Sequence, residues 1–293
     1  MLLSAAVIWG LSFVVQSEGL QYIGGFTLTG LRMLLATLVL LPVIAFRRSA
    51  DKKRGTVKKY NKKTCAAAII IVGVFITVGV NLQQAAFAYI EVGKVGFITA
   101  FYMLLVPIFG LFLRKRPPFT VWIAVIIGLC GLFMINGGAD FTLSFGKGEI
   151  LTFAGAVAFA LHIVAIDYFA DRIDSYVLSA GQFFVCGVLS CILMFIFEEP
   201  NIEAIKQAAV PILYTGILSS GVAFTFQIVG QKYTEPTIAS MLLCTESVFS
   251  VLFAFLILHQ ELTTFEYIGC GIMFAAIILA QIPVGKNRNK SLS

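Results

Sequence analysis

Charged residues are scarce in this sequence, and their scarcity excludes most classes of soluble protein. Of the 293 residues, 12% are charged and 59% are hydrophobic, and the mean hydropathy is +0.95. Soluble domains are nearer to one quarter charged and half apolar. The composition therefore predicts a polytopic membrane protein, and no separate soluble domain is visible along the chain.

Motifs for catalysis, ATP coupling and secretion are missing. Neither HExxH nor GxSxG nor GxxxxGK[ST] occurs, and the only histidines are His162 and His259. These motifs mark zinc, serine and phosphate-binding chemistry, so we expect no enzyme activity, no metal site and no cofactor. The first residues, "MLLSAAVIWG", lack the basic region and cleavage site of a signal peptide. Because the apolar run begins at Met1 itself, a start further upstream stays open.

Cysteines are present, but they do not form the pattern of a disulfide or metal site. All six lie in apolar segments, none forms CxxC, and no histidine cluster accompanies them. A disulfide framework and a zinc site are therefore not expected, and buried packing residues are the plain interpretation. They are Cys65, Cys130, Cys186, Cys191, Cys244 and Cys270.

Ten apolar segments, separated by polar residues, glycine or proline, follow one another along the chain. A membrane-crossing helix needs about 20 such residues. The predicted spans are residues 2–20, 26–46, 64–88, 93–113, 119–136, 148–170, 174–197, 208–231, 236–258 and 265–283. The predicted fold class is an all-α polytopic membrane protein with ten transmembrane helices. Pro107 predicts a kink in the fourth of them.

Basic residues are distributed unevenly between the predicted connections. Nine of the 21 lie between Arg47 and Lys63. When every second connection and the C-terminal tail are counted with them, one side of the membrane has 17 basic residues and the other side has three. Basic loops favour the cytoplasmic face and its anionic lipids. We therefore predict a multi-pass protein of the cell membrane with both termini in the cytoplasm. The basic tract is expected to face lipid headgroups, and nucleic acid is not an expected partner.

The two halves of the sequence match each other weakly, at nearly constant offsets. Five spans in each half is an odd number, so the second half must insert upside down relative to the first. The prediction is two inverted five-helix repeats, residues 1–138 and 139–293, within one membrane domain, as is typical of secondary transporters. The pairs are Trp9 with Phe159, Ser12 with His162 and Arg32 with Gln182 at an offset of 150, and Gln83 with Gln227, Tyr89 with Tyr233 and Tyr102 with Glu246 at an offset of 144.

Several stretches resemble the ten-helix EamA-type members of the drug/metabolite transporter superfamily. They are "AVIWGLSFV" in the first span, "LR" in the second, "VGKVGFITAFYMLLVPIFG" around the fourth, and "GILSSGVAFTFQIVGQKYTEPTIASMLLCTESVFSVLFAFLILHQELT" in the eighth and ninth. The resemblance implies a 5+5 inverted-repeat transporter that exports amino acids, metabolites or toxic compounds. Three features depart from the family pattern. Basic "RKRPP" replaces the usual acidic residue that closes the fourth span, and the fourth span is about five residues shorter than the ninth. In addition, "CTESVF" lacks the proline that commonly adjoins the glutamate.

Arg32 lies inside the otherwise apolar stretch "LTGLRMLLATLVLLP" of the second span. An arginine in hydrocarbon is costly, so a partner or a polar surface must satisfy it. Two interpretations stay open. The side chain snorkels to the surface or pairs with Glu18 or Glu91. Alternatively, the guanidinium faces a central cavity, where it would bind a carboxylate or phosphate of a substrate.

Two titratable side chains are predicted near the middle of the bilayer. Glu246 lies ten residues into the ninth span, and His162 lies near the middle of the sixth. Either suits a proton carrier, and the glutamate also suits an amine-binding site. The alternatives are a carboxyl group hydrogen-bonded within the bundle, for example to Ser250, and a histidine that only packs.

The remaining candidates for substrate binding are neutral polar or aromatic side chains in the spans. They are Trp9, Gln83, Thr99, Tyr102, Gln182 and Gln227. For Trp9 the alternative to a cavity wall is ordinary packing, and for Gln83 and Gln227 it is hydrogen bonding between helices.

The function predicted from these features is secondary-active export of amino acids or other small metabolites by alternating access, with proton coupling as a further hypothesis. The alternative is a lipid or lipid-precursor flippase, in which Arg32 would bind a phosphate headgroup. The expected partners are a small-molecule substrate and the lipid bilayer, and the chain is expected to act as a monomer or a homodimer.

Overall fold

The computed structural model describes residues 1–56, 58–90, 92–113, 117–136, 146–258 and 263–281. Within these ranges the chain forms helices and turns and no strand. The helices are α1 Leu2–Gly19, α2 Gly25–Arg54, α3 Lys62–Ala86, α4 Val92–Thr99, α5 Tyr102–Phe112, α6 Phe119–Asn136, α7 Lys147–Phe169, α8 Ser175–Phe197, α9 Ile202–Gln207, α10 Ala209–Tyr214, a π-helix Thr215–Phe224, α11 Thr225–Gln231, α12 Pro236–Leu243, α13 Glu246–Leu258 and α14 Thr264–Gln281. The predicted all-α fold is confirmed.

The helical segments have the length and composition of membrane spans. In the described ranges, nine are long and apolar enough to cross a membrane, and Phe119–Ile135 is a shorter apolar helix. Large apolar side chains such as Leu38, Phe195 and Ile278 are mostly exposed on the outside of the bundle. So much exposed apolar surface fits a lipid environment rather than water. The prediction of a polytopic membrane protein is confirmed.

Helix α2 is longer than predicted. It has 30 residues, so at 1.5 Å per residue it measures about 45 Å, against about 30 Å for the hydrocarbon core. Residues 47–54 belong to this helix, whereas the sequence predicted a loop there. They contain no glycine or proline that would end the helix. Gly55 ends the helix with a φ of 70°, a left-handed conformation that favours glycine. On this projecting turn, the Arg47 guanidinium lies 4.1 Å from the centre of the Tyr176 ring.

Two spans are interrupted at equivalent positions. Helix α4 gives way to α5 at residues 100–101, and α12 gives way to α13 at residues 244–245. The two breaks are 144 residues apart, and the Cys244 thiol donates a weak hydrogen bond of 3.8 Å to the carbonyl oxygen of Ala100. The interruption therefore lies where the two halves touch. The sequence predicted a kink at Pro107 instead, but that proline lies inside α5.

The eighth span changes helix type along its length. Its middle is a π-helix of ten residues, Thr215–Phe224, between two short α-helices. A π-helix has a wider turn than an α-helix, usually occurs as a single turn, and is often found at functional sites. Gly216 brings this segment against Leu35 and the backbone of Arg32 on α2. The widened turn therefore borders the second span at the position of its buried arginine.

The N-terminus of α2 is capped by a residue from the second half of the chain. The Glu198 carboxylate accepts hydrogen bonds of 2.8 Å from the backbone N–H groups of Phe26 and Thr27, and one of 2.6 Å from the Thr27 hydroxyl. The N-cap residue of α2 itself, Gly24, has no side chain that could accept these hydrogen bonds. By contrast, α8 is capped by its own Asp174.

Helices α2 and α8 form one of the most extensive contacts between the two halves. Gly30 lies against Cys191 and Gly187 lies against Leu34, so the two helices run antiparallel with their backbones close together. The predicted division of the chain after residue 138 falls among residues 137–145, outside the described ranges. The division into 1–138 and 139–293 therefore stays a prediction.

All six cysteines are free, but they are not equally buried. Cys186 and Cys244 are buried, as the packing interpretation requires. Cys130 is exposed on α6, so a buried packing role is wrong for that residue. On a helix in lipid, a small apolar side chain is tolerated at an outward position as well as in the bundle.

Candidate functional site

A cavity lies between the two halves, near the middle of the spans. It is bounded by α1, α2, α3 and α7, by the π-helix and α11, and by both segments of each interrupted span. Its lining residues are Trp9, Ser12, Phe13, Gln16, Arg32, Val80, Gln83, Thr99, Tyr102, Phe159, His162, Ile163, Ser219, Phe224, Gln227, Leu243 and Glu246. Eight of the nine candidate residues therefore meet at one cavity; the ninth, Gln182, does not line it.

Arg32 lies on the cavity wall rather than in lipid. Its side chain is 2% exposed, and in the described part of the chain its guanidinium makes no ion pair and no hydrogen bond. Glu18 is exposed and does not pair with it, and Glu91 lies outside the described residues. An uncompensated cation beside a cavity is suited to bind an anion, preferably a carboxylate or phosphate that matches the guanidinium fork.

Glu246 is the acidic residue of the wall. It is the first residue of α13, at the break in the ninth span, and it is 8% exposed. Among the residues that the structure describes, no ion pair or hydrogen bond engages its carboxyl group, so the alternative of a bond to Ser250 is not seen. Arg32 and Glu246 thus present a basic and an acidic side chain to one cavity, without partners among the described residues.

His162 is held by the one candidate residue that lies behind the wall. The distance from His162 Nε2 to Gln182 Oε1 is 2.8 Å, and Gln182 is fully buried. The imidazole also makes an edge contact with Phe224, with ring centroids 6.3 Å apart. Gln182 does not line the cavity, and its amide oxygen contacts the histidine, so a role of Gln182 in substrate binding stays a prediction.

Gln83, Thr99, Tyr102 and Gln227 form the neutral polar part of the wall. Gln83 Nε2 donates a hydrogen bond of 3.0 Å to the Thr99 hydroxyl, so these two residues connect α3 with the end of α4. Gln227 has a buried Oε1 with no hydrogen-bond partner in the described chain. An unsatisfied amide oxygen at a cavity provides an acceptor for a ligand or for water.

Trp9 is fixed to the π-helix. Its indole N–H donates a hydrogen bond of 3.0 Å to the carbonyl oxygen of Ser219, and the Ser12 hydroxyl donates one of 2.9 Å to the Ser219 hydroxyl. The indole also packs edge-on against Phe224, at 4.7 Å between ring centroids. These contacts hold the tryptophan as a rigid aromatic wall, which is the usual partner of a few polar anchors in a small-molecule site.

Three polar residues of the wall were not predicted from the sequence as site residues. Gln16 and Ser219 were not candidates, and Ser12 was named only as the repeat partner of His162. A signal for two of them was present, because Trp9, Ser12 and Gln16 have the spacing i, i+3, i+7, which places them on one face of α1. Ser219 had no such signal, since it faces the cavity through the widened turn of the π-helix.

Comparison with known proteins gives consistent results over the whole chain. The "Uncharacterized transporter" of Archaeoglobus fulgidus is 25% identical over 280 residues, which cover 95% of this chain and 84% of that protein. The "Uncharacterized transporter YoaV" of Bacillus subtilis is 23% identical over 92% of this chain and 94% of its own length. The "Uncharacterized inner membrane transporter YedA" of Escherichia coli is 23% identical over 94% and 88%.

A solved crystal structure of another protein has a similar fold. It superposes with a TM-score of 0.78 at 19% sequence identity and covers 95% of this chain and 94% of its own. The sequence model of the EamA-like transporter family matches this chain twice, at residues 1–137 and 146–281. Together with the apolar helices, these matches show an integral membrane protein. The chain belongs to the EamA-like transporter family.

Proposed function

We propose that this protein is a secondary-active transporter that exports amino acids or other small metabolites across the cell membrane by alternating access, with both termini in the cytoplasm. One observation carries the proposal. Arg32 and Glu246, each buried and without a protein partner in the described chain, face the same cavity between the two halves of the bundle. Buried charges of this kind in a membrane protein are a functional site by default.

The chemistry of the wall suits a small solute with a carboxylate. The Arg32 guanidinium would bind that carboxylate with two parallel hydrogen bonds, and Glu246 would accept a bond from an ammonium group. Trp9, Phe159 and Phe224 would contact the apolar part of the solute. Because the cavity supplies these contacts, the solute would not need to enter hydrocarbon.

The interrupted spans provide a structural basis for alternating access. At residues 100–101 and 244–245 the regular α-helical pattern gives way to i→i−3 bonds, such as those from Phe101 N–H to the Ile98 carbonyl and from Thr245 N–H to the Leu242 carbonyl. The segments on either side could change their relative tilt at these points. Interrupted helices at corresponding positions of two repeats are a feature of transporters that bind solute near the middle of the membrane. The side chains next to the two breaks, Tyr102 and Glu246, both line the cavity.

Purified protein in liposomes gives the direct test of this function. We expect counterflow of at least one radiolabelled compound from a panel of amino acids, nucleosides and cationic drugs, above the rate of protein-free liposomes. No flux of any compound would contradict the proposal. Movement of a fluorescent phospholipid between leaflets would support a flippase instead, and turnover of a compound in detergent would support an enzyme.

Proton coupling through Glu246 is the finer hypothesis, and Glu246→Gln tests it. The amide keeps the size of the side chain but cannot release a proton. We expect the acceleration of flux by an imposed pH gradient to disappear, while exchange without a gradient continues. Glu203→Gln is a matched control, because Glu203 is exposed and forms a surface ion pair with Lys206. Equal acceleration in the wild type and Glu246→Gln would refute this coupling.

A further inference from the structure

A hydrogen bond between two glutamines links α1 to α3 at one end of the cavity. Gln84 Nε2 donates to Gln16 Oε1 at 2.6 Å, and both side chains are buried. Each lies within three residues of the end of its helix, at the end of the bundle where the connection 20–24 lies. Helix α1 packs mainly on the π-helix, α12 and α13, whereas α3 packs mainly on α7 and α8. The hydrogen bond between Gln16 and Gln84 therefore connects α1 with α3, two helices that pack mainly on different parts of the bundle.

The glutamine pair is continuous with the cavity. Gln16 lines the cavity, and its Nε2 donates a hydrogen bond of 3.1 Å to the Ser12 hydroxyl. Ser12 in turn donates to Ser219 on the opposite wall. This row of polar groups therefore runs from the centre of the cavity to the end of α3, and Gln84 Oε1 is buried there without a partner in the described chain.

The equivalent residues of the second half are apolar. The offsets of 150 and 144 residues that align the halves relate Gln16 to Ile166 and Gln84 to Ile228. Both isoleucines are fully buried and belong to one apolar cluster, which also contains Val72. They lie three residues before the ends of α7 and α11, which come to the opposite end of the bundle from the glutamine pair.

We propose that these two pairs are the gates of the cavity: a hydrogen-bonded glutamine gate, Gln16 with Gln84, at one end, and an apolar isoleucine gate, Ile166 with Ile228, at the other. This inference rests on the proposed transport function, and it names which residues close each side. It also makes the two gates unequal, although the repeats place them at equivalent positions.

The inequality follows from what water does at each gate. When the glutamines separate, water replaces their mutual hydrogen bond and also satisfies Gln84 Oε1, so the net cost is small. When the isoleucines separate, apolar surface becomes exposed to water, and no new interaction compensates for it. In the absence of solute, the glutamine gate therefore opens more often, and the isoleucine gate is the one that bound solute must help to open.

Labelling of a cysteine inside the cavity tests the gates without any substrate. The background has the six native cysteines replaced, and Val80→Cys, which is nearly isosteric, serves as the reporter on the wall. A membrane-impermeant methanethiosulfonate is applied to sealed vesicles from one face and then from the other. We expect the parent to be labelled faster from one face, which is that of the glutamine gate.

Two positionally matched variants then separate the gates. Gln84→Ala should raise the labelling rate from the faster face by about two- to tenfold, the factor that one hydrogen bond represents, and leave the other face unchanged. Ile228→Ala should raise it from the slower face by about tenfold or more. Ile278→Ala, a lipid-facing substitution of the same kind, should change neither rate.

The outcomes that overturn the gates are specific. The proposal is wrong if Gln84→Ala and Ile228→Ala raise the labelling rate from the same face. It is also wrong if both variants fold but leave the labelling rates unchanged, or if no variant makes the reporter cysteine accessible. If either variant is not recovered from membranes, Gln16→Ala and Ile166→Ala form a second matched pair. Failure of the proposed function would look different: no solute flux, with the two-faced labelling pattern still present.

Discussion

Replacing Arg32 by methionine is expected to weaken the binding of carboxylate-bearing solutes by about 100-fold or more and, at the same time, to raise the temperature at which the protein unfolds. Two charge-assisted hydrogen bonds of about 1.5–3 kcal/mol each correspond to a factor of that size. Stability should rise because Arg32 is 2% exposed and has no partner in the described chain. An unpaired buried cation is costly, and an unbranched apolar side chain of similar length removes that cost.

The measurements for this variant are equilibrium binding and thermal unfolding, both in detergent. Arg47→Met is the matched control, since Arg47 is also on α2 but is exposed and lies over the Tyr176 ring, away from the cavity. The control should leave binding unchanged. Unaltered binding together with a lower unfolding temperature in Arg32→Met would instead assign the arginine a purely structural role.

Gly269→Ala is expected to lower the unfolding temperature by several degrees, whereas Gly271→Ala, on the same helix α14, is expected to be neutral or slightly stabilising. A methyl group on Gly269 would lie 2.6 Å from the carbonyl oxygen of Gly131 and 2.9 Å from the backbone nitrogen of Ile135. These are backbone atoms of α6, so they cannot rotate away. At Gly271 the methyl group would meet nothing within 4 Å.

The size of the effect follows from the cost of overpacking. Forcing extra atoms into a packed contact costs about 1–3 kcal/mol, and each kcal/mol shifts the unfolding temperature by about 2–4 °C in chains of 150–250 residues. Gly271→Ala loses nothing in packing and gains the higher helix propensity of alanine. Thermal unfolding of the two variants in the same detergent makes the comparison. Equal unfolding temperatures would show that α6 and α14 are not held together through Gly131 and Gly269.

The helical fold was predictable because hydropathy adds up over about 20 residues, so single errors do not matter. The interruptions of the spans were not predictable. No glycine or proline lies at residues 100–101 or 244–245, and the break at Ala100 is joined by Cys244 from the other half, a contact that local sequence does not reveal. The extension of α2 past residue 46 was not predictable from charge, because lysine and arginine occur in loops at the membrane surface and also continue a helix well.

The site was predictable to the extent that polar side chains in an apolar span must avoid lipid. That requirement brings eight of the nine candidates to one cavity. Gln182 is the exception because a buried partner, His162, satisfies its carbonyl oxygen behind the wall. The choice between lipid and cavity for Arg32 depended on the rotation of α2, which its packing on α8 and the π-helix decides. Ser219 was missed because serine is common in ordinary contacts between membrane helices.

The cap that Glu198 places on α2 has a consequence for biogenesis. Two backbone N–H groups in the first turn of α2, those of residues 26 and 27, have an acceptor that lies 172 and 171 positions later in the chain. At about 5–20 residues per second, the nascent chain must wait roughly 10–30 s for that acceptor to be synthesised. During this interval the insertion machinery or a chaperone must shelter the start of α2. Translation that stops before codon 198 is therefore expected to yield a product that quality-control proteases remove.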